Sequence, residues 1–269
     1  MWVILSFFTI KGIQFFYEEK GKGENLIFVH AGVADSRMWD SQFEYFSEFF
    51  RVIRYDLRGF GKTGFSEEEY NDAEDLKALF DYLQVTKAHL VGCSKGGQII
   101  VDFALQFPTF VNSLCLVNSL PNGFEFDELE PNILWTALES VDETDFKKRA
   151  DLETMIWFVG QSRTKDEVQS ELYQKVVEMD LIAIQNRTQI SPRVKVFFEN
   201  ASTKLENFSA PIAFIDGILD EPFMVKGAKD LSKKLGAQLY LIENTAHLPS
   251  VERPKEFNES LKKFLNPLN

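Results

Sequence analysis

Ala88-His89-Leu90-Val91-Gly92-Cys93-Ser94-Lys95-Gly96-Gly97 is the stretch on which the fold turns. Ala88 to Val91 reads as a short buried strand, and the apolar run from Gly97 to Phe107 reads as a helix. Between them Gly92 to Gly96 spell G-x-S-x-G. A serine on so sharp a strand-to-helix turn is held out of the sheet with its hydroxyl exposed. The flanking glycines fit, because a Cβ would collide where strand and helix pack this closely. The pattern makes Ser94 a candidate nucleophile.

Outward from this turn, the pattern alternates. Phe7 to Ile10 and Gln14 to Tyr17 bracket Lys11-Gly12, which predicts a hairpin. Apolar runs follow at Leu26-Val29, Val52-Tyr55, Leu90-Cys93 and Leu114-Val117. Helical spacing fills Asp40 to Phe49 and Glu69 to Leu83. The rhythm resumes with Ile212-Ile215, a helix around Val225 to Leu235, the strand Gln238-Ile242 and a last helix from Pro254 to Phe264. Strands alternating with helices predict an α/β fold with a parallel sheet covered on both faces. Residues 121–207 break the rhythm: they are helix-like and acidic and show no strong strand run. They read as a helical cap inserted after the sixth strand, between two halves of a core domain, 1–120 and 208–269.

Composition narrows the classes. The chain has 269 residues and is 45% hydrophobic, which suits one large domain with an insertion. Its net charge of −12 argues against nucleic acid, since nothing would neutralise phosphates. Its two cysteines, Cys93 and Cys115, fall in expected strands and read as small core residues of a reducing, cytoplasmic compartment. The apolar start, Met1 to Phe8, lacks the basic residues and cleavage site of a signal peptide and is too short to span a bilayer. It reads as a first strand, and no membrane partner is expected. Gly61-Lys62-Thr63 resembles the tail of a P-loop, but Asp56 stands where the first glycine belongs. No cluster has metal-ligand spacing. No metal or organic cofactor is expected.

A serine hydroxyl needs a base, and the base needs an orienting group. In a fold with this turn the order is serine, acid, histidine. Of the three histidines, His30, His89 and His247, only His247 follows Ser94. It sits just past the last expected strand, where catalytic groups of open α/β sheets collect. His89 lies on the Ser94 strand, about 16 Å back at roughly 3.3 Å per residue, and reads as a surface histidine. Asp216, Asp220 and Glu221 all follow the strand Ile212-Ile215. Asp220 is the preferred acid, with Asp216 and Glu221 open as alternatives. Asn118 and Ser119, after the strand ending at Val117, are not acidic. Oxyanion donors are expected at the backbone N–H of Lys95 and of Gly32, with His30 shaping the Gly32 loop. His30, Val33, Trp135, Trp157, Phe158, Phe223 and Leu248 are candidate pocket residues, and Lys95 could draw a substrate carboxylate or face solvent.

Together these segments resemble the α/β-hydrolase superfamily. His30-Ala31-Gly32 is similar to its oxyanion-loop motif, with alanine where glycine is usual. Tyr55-Asp56-Leu57-Arg58-Gly59-Phe60-Gly61 resembles its fourth-strand loop, Asp216-Gly217-Ile218-Leu219-Asp220 its acid loop, and His247 with Pro249 its histidine segment. Within the superfamily the chain looks most like the capped lactonase and esterase branch, for which 3-oxoadipate enol-lactonase is a named example. The resemblance implies a mostly parallel eight-stranded sheet flanked by helices, with a helical lid. It also implies cleavage of a small, partly apolar carboxylic ester or lactone through Ser94, His247 and Asp220. Alternatives on the same triad are C–C bond hydrolysis and perhydrolysis. A ligand-binding receptor with negligible turnover is the alternative from another class.

Overall fold

The computed structural model describes residues 3–125, 132–190, 194–196 and 198–265. Of the apolar start, Met1 and Trp2 lie outside the described residues, as do 126–131, 191–193 and 197 of the 121–207 stretch. Eight strands form one sheet: β1 (Ile4–Ile10), β2 (Ile13–Lys20), β3 (Asn25–Val29), β4 (Arg51–Tyr55), β5 (Ala88–Cys93), β6 (Val111–Val117), β7 (Ile212–Gly217) and β8 (Gln238–Ile242). Their order is β1-β2-β4-β3-β5-β6-β7-β8. β1 and β2 are antiparallel to each other, β2 is antiparallel to β4, and every later pairing is parallel. Lys11 and Gly12 both have positive φ, 47° and 82°, as a tight hairpin with matching twist requires.

Helices link the parallel strands. α1 (Asp40–Phe46) follows β3, α2 (Asp72–Tyr82) follows β4, and α3 (Lys95–Gln106) follows β5. The start of α2 falls later than its apolar spacing suggests because Asn71 caps it, its side chain accepting from the N–H groups of Ala73 and Glu74. Between β6 and β7 come α4 (Ile133–Glu139), α5 (Phe146–Thr154), α6 (Ser170–Ile190) and the short α7 (Ala201–Lys204). α5 runs into a π-helical turn, Met155–Val159. α8 (Pro222–Leu235), α9 (Pro249–Glu252) and α10 (Pro254–Leu265) complete the chain. None of the described helices is long and apolar enough to cross a membrane.

The strands bury both faces, so alternate residues enter different cores. Ile27, Val29, Leu90 and Phe214 join a cluster with residues of α2, α3 and α8. Leu26, Phe28, Val91, Cys93 and Ile215 join one on the other face with residues of α1 and α10. Phe158, Val159, Tyr173, Val176 and Met179, from the π turn and α6, belong to that second cluster.

Between β3 and β5 the chain first steps to β4 on one side and then crosses to the other. Their carboxyl ends therefore form a switch point, where ligands of open α/β sheets bind. Register aligns Val29 with Gly92, Cys93 with Val117, and Val117 with Ile215. The next residue along each of three strands is Ser94, Asn118 or Asp216, so these share one level at that rim. His89, four rungs lower than Cys93, is 2% exposed and not on the surface as its place at a strand start suggested. Its Nδ1 meets the Ser113 hydroxyl at 2.8 Å and its Nε2 lies 3.3 Å from Glu24, whose side chain covers it.

Candidate active site

The β5–α3 turn is built by close approach. A Cβ on Gly96 would stand 2.3 Å from the Val29 carbonyl oxygen, and one on Gly97 would stand 2.2 Å from Ser119 Oγ. Only glycine lets α3 lie this near β3 and the β6 end. Ser94 takes φ 51° and ψ −116°, a conformation side-chain-bearing residues rarely adopt. The turn is held from β6: Ser94 N–H donates to the Val117 carbonyl at 3.0 Å, and Ser119 Oγ donates to the Ser94 carbonyl at 2.7 Å.

His247 and Asp220 meet in the loops after β8 and β7. His247 Nδ1 lies 2.7 Å from Asp220 Oδ2, with both side chains buried. A carboxylate only accepts, so Nδ1 carries the proton and Nε2 keeps its lone pair. Asp220 Oδ2 also accepts from Asn118 Nδ2 at 2.6 Å, while Asn118 Oδ1 accepts from the Gly217 N–H at 3.0 Å. That second bond fixes which way the Asn118 amide faces. The two other acids have other places. Asp216 Oδ1 accepts from the Asn118 N–H, and burial raises its carboxyl well above the usual range. Glu221 precedes Pro222 at the start of α8 and accepts from Asn132 Nδ2 at 2.9 Å.

The π turn grips the histidine from above. The His247 N–H donates to the Trp157 carbonyl at 3.0 Å, and the two rings sit 4.4 Å apart, tilted by 42°. Gly160, at φ 80°, lies so close to the acid loop that a Cβ there would stand 2.6 Å from the Leu219 carbonyl oxygen. Arg163 ties the same turn to α9. It pairs with both oxygens of Glu252 at 2.6 and 3.1 Å and donates to the carbonyls of Phe158, Val159 and Asn244. π turns occur often at functional sites because the extra residue re-aims a side chain.

His30 is fully buried. Its Nδ1 lies 2.8 Å from the Ala31 carbonyl and its Nε2 accepts from the Leu57 N–H at 2.9 Å. Both nitrogens are thus committed to the neutral ring, and burial lowers its affinity for a second proton. This bond joins the loop after β3 to the loop after β4. The second loop is braced by Asp56, which accepts from the N–H groups of Ser36 and Lys62. Gly61-Lys62-Thr63 is therefore part of this brace. Gly32 and Lys95 are neighbours across the gap, with a Gly32 Cβ direction 3.6 Å from the Lys95 Cβ. The Lys95 ammonium neither faces solvent freely nor stands alone: Asp72 holds it at 2.9 Å.

These elements enclose a cavity of about 280 Å³ lined by Gly32, Val33, Phe60, Ser94, Lys95, Trp157, Ala183, Arg187, Val194 and His247. It brings Ser94 and His247 together with Gly32 and Lys95, and includes Val33 and Trp157. It does not include His30, locked beneath by its two ring bonds, nor Phe158 and Leu248, both fully buried in the second core cluster. Trp135 packs edge-on against the ring of Trp157 and lies behind it. Phe223 packs against the first core cluster. Phe60, Ala183, Arg187 and Val194 line the cavity without having been legible as pocket residues. Asn118 and Ser119 were set aside for lacking a charge, although an amide and a hydroxyl are what this rim uses.

A model of the alpha/beta hydrolase fold family matches residues 24–254. The chain belongs to the α/β-hydrolase family. This hydrolase is 25% identical over 260 residues to a pimeloyl-(acyl-carrier protein) methyl ester esterase of Vibrio atlanticus, covering 93% of this chain and 97% of that one. It is 23% identical over 268 residues to 3-oxoadipate enol-lactonase 2 of Acinetobacter baylyi, with 97% and 96% covered. The enol-lactonase structure from Burkholderia xenovorans LB400 superposes with a TM-score of 0.77 at 20% identity, across 97% of this chain and all of that one. At that identity the superposition speaks to the fold alone. Cysteines 93 and 115 are both free and buried, and no group of metal-ligating side chains occurs among the described residues.

Proposed function

We propose that this hydrolase cleaves a small carboxylic ester or lactone through Ser94, His247 and Asp220, by way of an acyl-enzyme. The observation that carries the reading is the 2.7 Å His247–Asp220 pair, set beside Ser94 in one cavity. Ser94 Oγ attacks the carbonyl carbon while His247 Nε2 takes its proton. The carbonyl oxygen becomes an oxyanion that the Gly32 and Lys95 N–H groups receive, the second at the N-terminus of α3. The tetrahedral carbon collapses, its bond to the leaving oxygen breaks, and His247 returns the proton to that oxygen. Water then adds to the acyl carbon, giving its proton to His247. Collapse returns Ser94 with its proton and frees the carboxylic acid. Asp220 keeps the imidazole in one tautomer and stabilises its charged form.

In this reading residues 121–207 form a lid over a core of 1–120 and 208–269. The lid contributes Trp157, Ala183, Arg187 and Val194 to the cavity. Val33, Phe60, Trp157, Ala183 and Val194 favour an apolar stretch of substrate. The esterase and enol-lactonase relatives support ester or lactone chemistry. Replacing Ser94 with alanine is expected to lower turnover of short esters by several orders of magnitude, towards the roughly 10⁶-fold known for triad knockouts. Retention of most activity in that variant, measured by steady-state kinetics, refutes the assignment.

A further inference from the structure

We propose that the cavity takes an anionic substrate, an ester or lactone carrying a second carboxylate, and that the Arg187 guanidinium receives that carboxylate. The inference rests on the hydrolase reading and names the substrate class of the same site.

The first ground is the charge of the lining. The chain carries 41 acidic and 29 basic residues, yet the charged side chains lining the cavity are Lys95 and Arg187, both cationic. The carboxylates that balance them, Asp72, Glu153 and Asp180, do not line it. A substrate therefore meets the cations first. The rest of the lining is apolar or belongs to the reacting groups, so a second carboxylate has no comparable partner elsewhere in the cavity.

The second ground is how Arg187 is held. Glu153 is 4% exposed and grips the guanidinium from one edge, Oε1 to Nη1 at 2.6 Å and Oε2 to Nη2 at 2.9 Å. Nη2 also reaches Asp180 Oδ1 at 3.4 Å. Among the described residues these bonds use three of the five N–H donors, which leaves the Nε–H and one Nη1–H. A guanidinium already fixed by one carboxylate loses little rotamer freedom on donating a single hydrogen bond to another. Asp180 is fully buried and its Oδ2 has no partner. Burial and the nearby Glu153 raise its carboxyl well above the usual range, which weakens it as a counter-ion to the arginine. Glu153 is the nearer counter-ion, at 2.6 and 2.9 Å against 3.4 Å for Asp180.

The third ground is placement. Ala183 and Arg187 are one helical turn apart on α6, and both line the cavity that also holds Ser94. Phe60, Trp157 and Val194 complete the lining around them. The arrangement suits a carbon chain with a scissile carbonyl at one end and a carboxylate at the other.

The test separates binding from turnover. Monomethyl adipate and dimethyl adipate share a skeleton and differ in one charge. Each is titrated by calorimetry into the Ser94→Ala protein, which cannot turn them over on this reading. The monoanion is expected to bind at least roughly tenfold tighter, as one charge-assisted hydrogen bond implies. Arg187→Met alone would strand the buried Glu153, so the comparison uses Arg187→Met with Glu153→Gln, in the Ser94→Ala background and with folding checked by thermal melting. In that protein the preference should fall below about twofold, with the diester affinity little changed. Equal binding of the two esters, or a preference that survives the paired substitution, overturns the proposal. Turnover of the same esters by the unsubstituted protein judges the hydrolase reading separately. Charge-selective binding without Ser94-dependent turnover supports the anion site and sinks the chemistry. Turnover of both esters at equal efficiency, with equal binding, does the reverse.

Discussion

Asn118, just past β6, ties the end of β7 and the loop after it together through one side chain and one backbone N–H. It donates to Asp220, accepts from Gly217, and gives its own N–H to Asp216, all from a backbone at φ 40°. Removing it leaves the Asp220 carboxylate short of a donor and free to turn from His247. A hydrogen bond to a charged group contributes about 1.5–3 kcal/mol, so Asn118→Ala should lower kcat roughly ten- to hundredfold with KM little changed. Steady-state kinetics on one ester checks this, and an unchanged kcat counts against the positioning role. Asp216 is a different case. Its folded-state carboxyl is raised, chiefly by burial and then by Asp220. The unfolded chain releases that proton from about pH 4 upward while the folded chain keeps it. Stability therefore falls as pH rises from there towards the folded value. Asp216→Asn can still accept from the Asn118 N–H and has no proton to lose. Its stability relative to the unsubstituted protein should improve as the pH rises above about 4, the unfolded value. Urea titrations across that range measure it, and a difference that stays flat contradicts the raised carboxyl.

Among the elements, the π turn does more than cover the site. Trp157 presents its carbonyl to the His247 N–H and its ring to the imidazole, while Gly160 backs onto the acid loop. Arg163 closes this clamp on α9 through Glu252, and both side chains are buried. Arg163→Met leaves Glu252 without its cation, which should cost about 3–5 kcal/mol. Adding Glu252→Gln should restore part of that loss, as urea unfolding of the single and double variants will tell; no recovery would mean that packing, not charge, dominates. The β5–α3 turn makes a similar demand in steric terms. A Cβ on Gly96 meets the carbonyl oxygens of Val29 and His30 at 2.3 and 2.6 Å. Both are backbone atoms of β3 and its loop and cannot swing aside. Gly96→Ala should cost at least about 1–3 kcal/mol, the usual range for overpacking, and displace the Gly32 loop.

Across the whole molecule, two cores share one sheet, and Phe158, Tyr173 and Met179 from the 121–207 stretch lie in the second of them. Such a stretch cannot peel away without opening that core, so tryptophan fluorescence and far-UV circular dichroism should report one coincident urea transition; separated midpoints would show an independent lid. The same map explains what the sequence made legible. The strands from β3 to β7 were readable because burial on both faces demands continuous apolar runs, and His247 because histidine is scarce and only one follows Ser94. Asp220 could be preferred but not decided, since three acids crowd the β7 end and only the fold says which reaches the imidazole. The cavity wall was hidden for another reason: Phe60, Ala183, Arg187 and Val194 come from segments far apart in the chain, each ordinary in its own local pattern. His89 shows the converse, a polar residue buried because Glu24 from the bend before β3 and Ser113 from β6 meet it. The central claim is that Ser94 is a nucleophile activated by His247. Reaction with a fluorophosphonate, followed by peptide mass mapping, tests it most directly. The account predicts a covalent phosphonyl adduct on Ser94 that forms orders of magnitude more slowly in His247→Asn. An adduct elsewhere, none at all, or one formed as fast without the imidazole would contradict it.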